Sequence, residues 1–396
     1  MPTPSTRLNH VSEYYFAAKL REIAQLRSDG KPILNFGIGS PDLPPHLLVT
    51  EALVNGTADP TAHGYQSYTG IPALREGWAN WYARYYDVIL NPVNQILPLI
   101  GSKEGIAHIA FAFLEPCDVA LVPNPGYPSY RAASLLAGAE VHLYDLNEKN
   151  DWLPDLEALE QTDLSRVKIM WVNYPHMPTG APGSAKVFQQ LVDFGRKHDI
   201  LIVNDNPYSF ILNDHPRSIL AAKGAIEIAL ELNSLSKSHN MAGWRVGMVA
   251  GHEEYLKAIL RFKSNLDSGQ FRPVQEAAVA AMNLPATWYS ELNEMYRIRQ
   301  SAVFELLENI GCTFNRQQQG LFVWAKIPVH YKDGYALSDE LLYEKNMFLT
   351  PGDIFGPAGE RYIRVSLCSP KEAFQEATGR VGSHSNPQLT KSPNPQ

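Results

Sequence analysis

The sequence has few cysteines, no long apolar run and no excess of basic residues. Its three cysteines, Cys117, Cys312 and Cys368, lie far apart with no Cys-x-x-Cys spacing. This pattern supports neither a disulfide framework nor a zinc ribbon, and it favours a reducing cytoplasm. No window approaches the roughly 18 uncharged apolar residues of a membrane helix, and the N-terminal stretch lacks the charge pattern of an export signal. We therefore expect a cytoplasmic protein without a membrane span.

The charge balance also excludes one class of partner. Thirty-four basic and 41 acidic side chains give a net charge of −7, which is the wrong sign for a general nucleic-acid binder. Hydrophobic residues make up 45% and charged residues 19% of the 396 residues, as in folded globular proteins. At about 100 to 200 residues per domain, this length predicts two or three folded units.

Short apolar runs alternate with longer amphipathic stretches between about residues 95 and 251. The runs are QILPLI, DVALVP, EVHLY, VKIMWVNY and ILIVN. Because they show little polar alternation, they predict strands buried on both faces in a mostly parallel sheet covered by helices. The predicted fold class is therefore α/β. In such sheets ligands bind beyond the carboxyl ends of the strands, so the polar residues that follow each run are the first candidates for a site.

The chain divides into four predicted segments. Residues 1–45 form an arm and a helix that join the smaller unit, and residues 46–265 form the large unit. Residues 266–380 contain an interdomain helix and a small α+β unit with the runs GLFVWAKIP and RYIRVSLC. Residues 381–396 are polar and rich in proline, which predicts a disordered tail.

Two polar motifs follow predicted strands. GSKEG, from Gly101 to Gly105, follows QILPLI and opens an apolar helix, so its backbone N–H groups are suited to an anion. A plain glycine-bearing turn is the alternative. Asp205 follows ILIVN, with Tyr208 three residues later, and it is either a carboxylate at the mouth of the sheet or a helix cap.

A third motif, SLSKSHNMAGWRVG, surrounds a lysine with hydroxyl groups. Lys237 lies among Ser234, Ser236 and Ser238, and Arg245 follows eight residues later. A lone loop lysine is usually a solvated charge. This setting favours instead an amine held for Schiff-base chemistry near a phosphate.

Aromatic residues follow two further predicted strands. They lie in NPGYPSY, residues 124–130, and in NYPHMPTG, residues 173–180. These tyrosines either cap the core or stack on a ligand. A lysine nucleophile, a carboxylate, a phosphate cradle and stacking aromatics together are what pyridoxal phosphate requires.

On these motifs, from GIGSPD to RYIRVSL, the chain resembles the class I/II aminotransferases, which are fold-type I pyridoxal-phosphate enzymes. The resemblance implies a large cofactor-binding domain, a smaller α+β domain and pyridoxal 5′-phosphate as cofactor. It also implies transfer of an amino group from an amino acid to a 2-oxo acid through a lysine Schiff base and a pyridoxamine form.

By this resemblance Lys237 forms the Schiff base and moves the substrate α-proton. Asp205 pairs with the pyridinium nitrogen, and Tyr208 donates to the phenolic oxygen O3′. The other implied cofactor contacts are Gly101, Ser102, Lys103, Tyr127, Asn173, Met177, Ser234, Ser236 and Arg245. Asn173 has the alternative of serving only the end of its strand.

The resemblance also implies how the substrate and a second subunit are bound. Arg364, in RYIRVS, grips the substrate α-carboxylate, and the backbone at Ile38 and Gly39 completes that pocket. A strand-edge salt bridge is the alternative for Arg364. Tyr65, in GYQSYTG, matches the tyrosine that such enzymes lend to the neighbouring subunit's phosphate, which implies a homodimer.

One position departs from the family pattern. Members usually carry an asparagine before Pro-Thr-Gly that donates to O3′, whereas this sequence has Met177, which cannot donate. Without that donor, the Schiff-base nitrogen is expected to hold its proton to higher pH. Three interpretations stay open: Tyr208 suffices, His176 substitutes, or the chemistry is altered.

Other functions remain as alternatives. A lyase, racemase or decarboxylase on the same fold stabilises the same carbanion. A ligand-sensing regulator needs a DNA-binding domain, but only about thirty-five residues precede GIGSPD. A nucleotide-binding protein is disfavoured because no Gly-x-Gly-x-x-Gly or Walker pattern follows a strand.

The substrate is less determined. GIGSPDLPP, GSKEG, SKSHNMAGWR and KSNLDSGQF resemble LL-diaminopimelate aminotransferases more than the aspartate enzymes. Arg272 is one candidate partner for a substrate side-chain carboxylate, although a helix-start arginine is the plainer interpretation. Small and acidic amino acids both remain open.

Overall fold

The computed structural model describes residues 2–382. Helices α1 to α13 are, in order, Tyr15–Ser28, Leu47–Thr57, Pro72–Tyr86, Ser102–Phe113, Pro128–Ala137, Leu156–Leu159, Ala185–His198, Leu235–Ser238, Glu253–Lys263, Arg272–Met282, Thr287–Ile310, Gly334–Lys345 and Lys371–Val381. Strands β1 to β12 are Leu34–Asn35, Ile96–Leu99, Val119–Asn124, Glu140–Asp145, Val167–Val172, Leu201–Asp205, Ala229–Ser234, Gly247–Gly251, Phe322–Lys326, Met347–Phe348, Thr350–Pro351 and Tyr362–Ser366. Across this part of the chain, no helix is both long and apolar enough to cross a membrane.

Seven strands form the large sheet, in the order β2-β8-β7-β6-β5-β3-β4. β8 runs antiparallel to β2 and β7, and the other neighbours are parallel. The five apolar runs are confirmed as β2 to β6. β7 and β8 gave no such signal, because β7 carries the polar residues Glu231 and Asn233 and β8 is a short run with two glycines.

Helices cover both faces of this sheet. Successive strand residues point to opposite sides. Val172 and Ile202 pack in one core with α3, α7 and α10, and Trp171 and Val203 pack in another with α4, α5 and α9. Burial on both faces explains why β2, β3, β5 and β6 are almost continuously apolar. The prediction of such burial is wrong for EVHLY, because β4 is an edge strand and is mostly exposed. The α/β fold class is confirmed.

The smaller unit is built on an antiparallel sheet of β11, β12 and β9. Its core also holds Phe16 of α1 and Phe36, so the N-terminal segment joins this unit. β1 adds a parallel pair with β10 through Leu34 and Met347.

The connection between the two units differs from the predicted limit at residue 265. Helix α10 lies after that limit but packs against α2 and α3, with Ala277 and Ala281 in the core of the large unit. Helix α11 has Tyr289 in that core and Leu307 in the core of the smaller unit, so it spans both. The predicted disordered tail, 381–396, lies outside the described residues except for Val381, which ends α13, and Gly382.

Candidate active site

A cavity of about 570 Å³ lies between the large sheet, α1 and the smaller unit. It is lined by every residue that the resemblance assigns to the cofactor or the substrate α-carboxylate, except Gly101 and Tyr65. These residues are Ile38, Gly39, Ser102, Lys103, Tyr127, Asn173, Met177, Asp205, Tyr208, Ser234, Ser236, Lys237, Arg245 and Arg364. Residues from seven segments of the chain therefore meet here, and five of these segments follow strands of the large sheet at the edge that the strand-end rule predicts.

Asp205 is the last residue of β6 and is only 5% exposed. Its Oδ2 accepts a hydrogen bond from the Tyr130 hydroxyl at 2.9 Å, but its Oδ1 has no hydrogen-bond partner within residues 2–382. Burial raises the pKa of this carboxyl to about 7, and the Tyr130 hydrogen bond opposes that rise. The next helical segment begins at Ile219, so Asp205 caps no helix. A buried oxygen without a donor is costly unless a ligand supplies one.

Lys237 lies in α8, the single turn that follows β7. Its ammonium nitrogen donates a hydrogen bond to the Gly39 carbonyl. Burial lowers the pKa of Lys237, and the positive charges of Arg364 and Arg245 act in the same direction. The amine is thus biased toward its neutral form, which is the nucleophile in Schiff-base formation.

The turn before α4 forms the anion cradle. Gly101 has φ +81°, and a Cβ on it would come within 2.2 Å of the Arg245 guanidinium, so glycine lets Arg245 approach this turn. Glu104 accepts a hydrogen bond from the Ile100 backbone N–H at 2.5 Å, which holds the turn from inside the helix. Because the first N–H groups of a helix lack partners within it, the start of α4 at Ser102 is suited to an anion.

Two serines and an arginine complete this cradle. Ser234 Oγ accepts from the Ser236 backbone N–H at 3.1 Å and donates to the Val246 carbonyl at 2.9 Å. Arg245 donates one guanidinium N–H to the Ala242 carbonyl at 2.9 Å. A guanidinium has five N–H donors, so others remain for an anion of phosphate type.

Arg364, in β12, is 4% exposed and lies among phenyl rings. Its guanidinium carbon is 3.9 Å from the ring centroid of Phe322, 4.7 Å from that of Phe355 and 5.3 Å from that of Phe16. Burial lowers its pKa to about 10, so it is charged at neutral pH. Nη2 donates to the Gly37 carbonyl at 2.6 Å, and Nε has no partner in the described part of the chain. Within residues 2–382 the Arg364 side chain bonds to Met177 and to the Gly37 carbonyl but to no carboxylate, so the strand-edge salt bridge is unsupported.

Met177 contacts this arginine. Its sulfur accepts a weak hydrogen bond from Arg364 Nη1 at 3.3 Å, and its backbone N–H donates to Asn173 Oδ1 at 2.7 Å. The Asn173 amide also donates to the Asp205 carbonyl, so Asn173 connects two cavity segments. His176 does not line the cavity. Its Nδ1 lies 2.8 Å from Thr179 Oγ1, and burial lowers its pKa to about 3.

Tyrosines form another side of the cavity. The Tyr127 ring lies 5.5 Å from that of Tyr130, which stacks on Trp171 at 5.3 Å. Burial raises the pKa of the Tyr208 hydroxyl, so it stays protonated and available as a donor. Tyr130 is therefore both a hydrogen-bond donor to Asp205 and a support for Tyr127.

Two candidate residues, Tyr65 and Arg272, lie outside the cavity. The Tyr65 side chain is 96% exposed and outside the cavity. Arg272 begins α10 and pairs with Asp59 and Glu276, which agrees with the helix-start interpretation. Lys103 lines the cavity, but its ammonium group lies 4.2 Å above the Tyr14 ring.

Sequence reasoning missed a second set of lining residues. These are Tyr14, Phe16, Leu20, Phe322 and Phe355. They come from α1 and the smaller unit, far along the chain from Lys237, and no local pattern assigns them to a site. Tyr130 stood within the NPGYPSY motif without an assigned role. Its spacing of three residues from Tyr127 at the start of α5 was an available signal.

The arrangement fits pyridoxal phosphate. Asp205 Oδ1 matches a protonated ring nitrogen, and Lys237 matches an aldehyde carbon. The start of α4 with Ser234, Ser236 and Arg245 matches a phosphate group.

Comparisons with known proteins agree. A family model described as aminotransferase class I and II matches residues 31–381. LL-diaminopimelate aminotransferase from Dehalococcoides mccartyi is 41% identical over 382 residues, covering 96% of this chain and 98% of that protein. The protein of the same name from Aquifex aeolicus is 38% identical over 379 residues, covering 95% and 98%.

Solved structures show the same relationship. Substrate-bound BacF from Bacillus subtilis superposes with a TM-score of 0.92 at 33% identity, covering 96% of this chain and 97% of that one. A probable N-succinyldiaminopimelate aminotransferase from Thermus thermophilus gives a TM-score of 0.87 at 34% identity, covering 92% and 98%. Neither the lyase, racemase or decarboxylase alternative nor the regulator alternative gains support from these relatives. The chain belongs to the class I and II aminotransferase family and is a pyridoxal-phosphate-dependent aminotransferase of fold type I.

Proposed function

We propose that Lys237 is the amine that carries the cofactor and moves the proton in amino-group transfer between an amino acid and a 2-oxo acid. One observation carries this assignment: a buried amine with a lowered pKa and a buried carboxyl with a free oxygen line the same cavity. When bound, pyridoxal phosphate supplies a ring that withdraws electrons from the substrate α-carbon.

Asp205 keeps a proton on the cofactor ring nitrogen that faces its free oxygen Oδ1. A carboxyl whose pKa is raised to about 7 by burial gains strongly from a cationic partner, because that partner offsets the desolvation of the charged form. Oδ1 therefore accepts from a protonated ring nitrogen, while Tyr130 fixes Oδ2. The Asn173 amide, through the Asp205 carbonyl, restrains the backbone at this point.

Lys237 takes the proton from the substrate α-carbon and returns it. The neutral amine favoured by burial is the form that accepts a proton. The Gly39 carbonyl, its hydrogen-bond acceptor here, lies in the segment that borders the substrate pocket.

Arg364 binds the substrate α-carboxylate. Its unpaired Nε and its charge are both buried, and the surrounding phenyl rings exclude water from the ion pair. Ser102, Ser234, Ser236 and Arg245 bind the cofactor phosphate, and Tyr127 packs against its ring. Gly101 allows the close approach of Arg245 to this site.

The active enzyme is a homodimer in which Tyr65 reaches the partner's phosphate site. The Tyr65 side chain is 96% exposed, whereas the residues that follow it are held by the rest of the chain, and this contrast supports the proposal. Gln66 forms a backbone bridge with Gly269, and the neighbouring Gln270 side chain donates to the Arg245 carbonyl at 2.5 Å. The segment that carries Tyr65 is thus tied to the chain's own phosphate site while its ring faces outward. We also propose a cytoplasmic location, which the three unpaired cysteines support.

Borohydride trapping with peptide mapping tests the amine assignment. We expect a single reduced cofactor adduct on Lys237, lost in Lys237→Ala. Lys103→Ala, which changes another lysine of the same cavity, is the matched control and retains the adduct. An adduct on any other residue contradicts the proposal. A panel of amino donors with 2-oxoglutarate or pyruvate then measures transfer, with Lys237→Ala as the blank.

A further inference from the structure

The cavity has a wall that the cofactor assignments leave unused. It consists of Phe16 and Leu20 of α1, Ile38, Phe322 and Phe355. Phe16 and Leu20 are four residues apart and therefore share one face of the helix. Phe16 is 8% exposed and Leu20 is 42% exposed, so the wall runs from the buried Arg364 to the mouth of the cavity.

This wall carries no negative charge. Among the described residues, Asp205 is the one acidic side chain that lines the cavity, and it is assigned to the cofactor. Glu13, close to the wall in sequence, is paired with Arg21 through two hydrogen bonds of 2.6 and 2.7 Å. Asp42 is held in the same way by Arg299, at 2.6 and 2.9 Å. Neither carboxylate lines the cavity.

The positive groups of the cavity are also engaged. Lys237, Arg245 and Arg364 serve the cofactor and the α-carboxylate under the proposed function, and Lys103 is exposed with its ammonium above the Tyr14 ring. A donor with a charged side chain would bring that charge against phenyl and alkyl groups. Burying an unpaired charge in such surroundings is unfavourable, because the charge loses its hydration without gaining a partner.

The relatives named LL-diaminopimelate aminotransferase point to a different donor. That molecule bears an ammonium and a carboxylate at each end, so its distal end calls for an acidic and a basic partner. The wall described here offers aromatic and aliphatic carbon instead.

We propose that the preferred amino donor has an apolar side chain, aromatic or large aliphatic, which packs between Phe16, Leu20 and Phe322. This rests on the proposed function, since it places the α-carboxylate on Arg364. It specifies the class of amino donor and assigns no role to any other residue of this chain.

The first test compares donors on the holoenzyme. The loss of cofactor absorbance is followed after mixing with leucine, phenylalanine or methionine, and with aspartate, lysine or LL-diaminopimelate. We expect the apolar donors to exceed the charged ones in kcat/KM by at least about tenfold, the smallest discrimination expected of an apolar pocket. A charged donor that equals or exceeds them overturns the proposal, including when a partner subunit supplies the missing charge. If no donor changes the absorbance and Lys237 is not labelled, the proposed function itself fails.

Binding without turnover gives an independent measurement. Calorimetry of the holoenzyme compares two substrate analogues of similar length: 4-methylpentanoate, a branched monocarboxylate, and glutarate, a dicarboxylate. Tighter binding of 4-methylpentanoate supports the apolar wall, and tighter binding of glutarate contradicts it.

Leu20 allows a variant that is safe for folding, because it is partly exposed. We expect Leu20→Ala to lower kcat/KM for leucine by about tenfold and to leave alanine as donor nearly unchanged. Leu8→Ala is the matched control, since Leu8 is 50% exposed and lies outside the cavity. Equal effects of the two variants on leucine, or equal effects of Leu20→Ala on leucine and alanine, contradict the proposal.

Discussion

Two buried carboxyl groups lie on neighbouring strands of the large sheet, and their surroundings differ. Glu231, in β7, is 0% exposed. Its Oε1 accepts from the Tyr82 hydroxyl at 2.8 Å, and its Oε2 accepts from the Asn204 amide and the Ile219 backbone N–H, both at 2.9 Å. Asp205, on β6, has one oxygen bound to Tyr130 and one oxygen free.

Burial raises the pKa of both groups, so depth alone does not separate them. The difference is in hydrogen bonding. A carboxyl whose oxygens are all bound by the protein holds the fold together, whereas a carboxyl with a free oxygen facing a cavity is prepared for a ligand. This distinction predicts opposite effects for matching substitutions at the two positions.

The largest effect is expected for Asp205→Asn. A neutral amide does not keep the cofactor nitrogen protonated, so kcat for the donor half-reaction should fall by about 10³-fold. The thermal stability of the apoprotein should be unchanged or higher, because a buried acid with a free oxygen has been removed. Activity within tenfold of the parent would contradict a role for the Asp205 carboxylate in catalysis.

Glu231→Gln makes the same acid-to-amide change at the other buried carboxyl. The amide nitrogen faces donors that need an acceptor, so the free energy of unfolding should fall by about 2 to 4 kcal/mol in denaturant titrations. The activity of the folded fraction should stay close to that of the parent enzyme. A loss of activity without a loss of stability would assign Glu231 to the site instead.

The pH dependence of the apoprotein's stability gives a further test of Asp205. The pKa of Asp205 is raised from its ordinary value of 3.8 to about 7. Protonated Asp205 therefore contributes its full stabilisation at pH values below the pKa of this aspartate in the unfolded chain, and the contribution is lost as the pH rises toward 7. The free energy of unfolding should fall by roughly 1.4 kcal/mol per pH unit between about pH 5 and pH 6, and less steeply near pH 7. Asp205→Asn should remove this slope relative to the parent, and parallel curves for the two proteins would show that Asp205 does not titrate there.

The smallest effect is expected for Tyr130→Phe. This change removes the hydroxyl that binds Asp205 Oδ2 but keeps the ring stacked on Trp171. The cofactor dissociation constant should rise by about tenfold, the value of a hydrogen bond to a charged acceptor. Tyr144→Phe removes another buried hydroxyl, which donates to the Trp171 carbonyl at 2.6 Å away from the cavity, and it should leave this constant unchanged.

Much of this site was predictable from strand ends. Asp205 follows an apolar run of the length that a buried parallel strand requires, and Ser102 opens a helix after another such run. Lys237, which lines the cavity, was proposed as a site residue from its neighbouring serines and Arg245, although the strand before it was not predicted. The wall formed by α1 was not predictable in this way, because Phe16 and Leu20 form an ordinary helical pair and gain their setting from residues distant in sequence.

Local sequence patterns were sufficient to predict the strands and helices with regular apolar spacing and the chemical groups that follow them. Tertiary structure decided which of two buried carboxyls keeps a free oxygen, since Tyr130, Tyr82 and Ile219 reach these groups from distant segments. It also decided that phenyl rings surround Arg364. The cause is the distance along the chain over which the interactions act. Helix and strand formation depends on neighbours in sequence, whereas hydrogen-bond satisfaction and charge burial depend on neighbours in space.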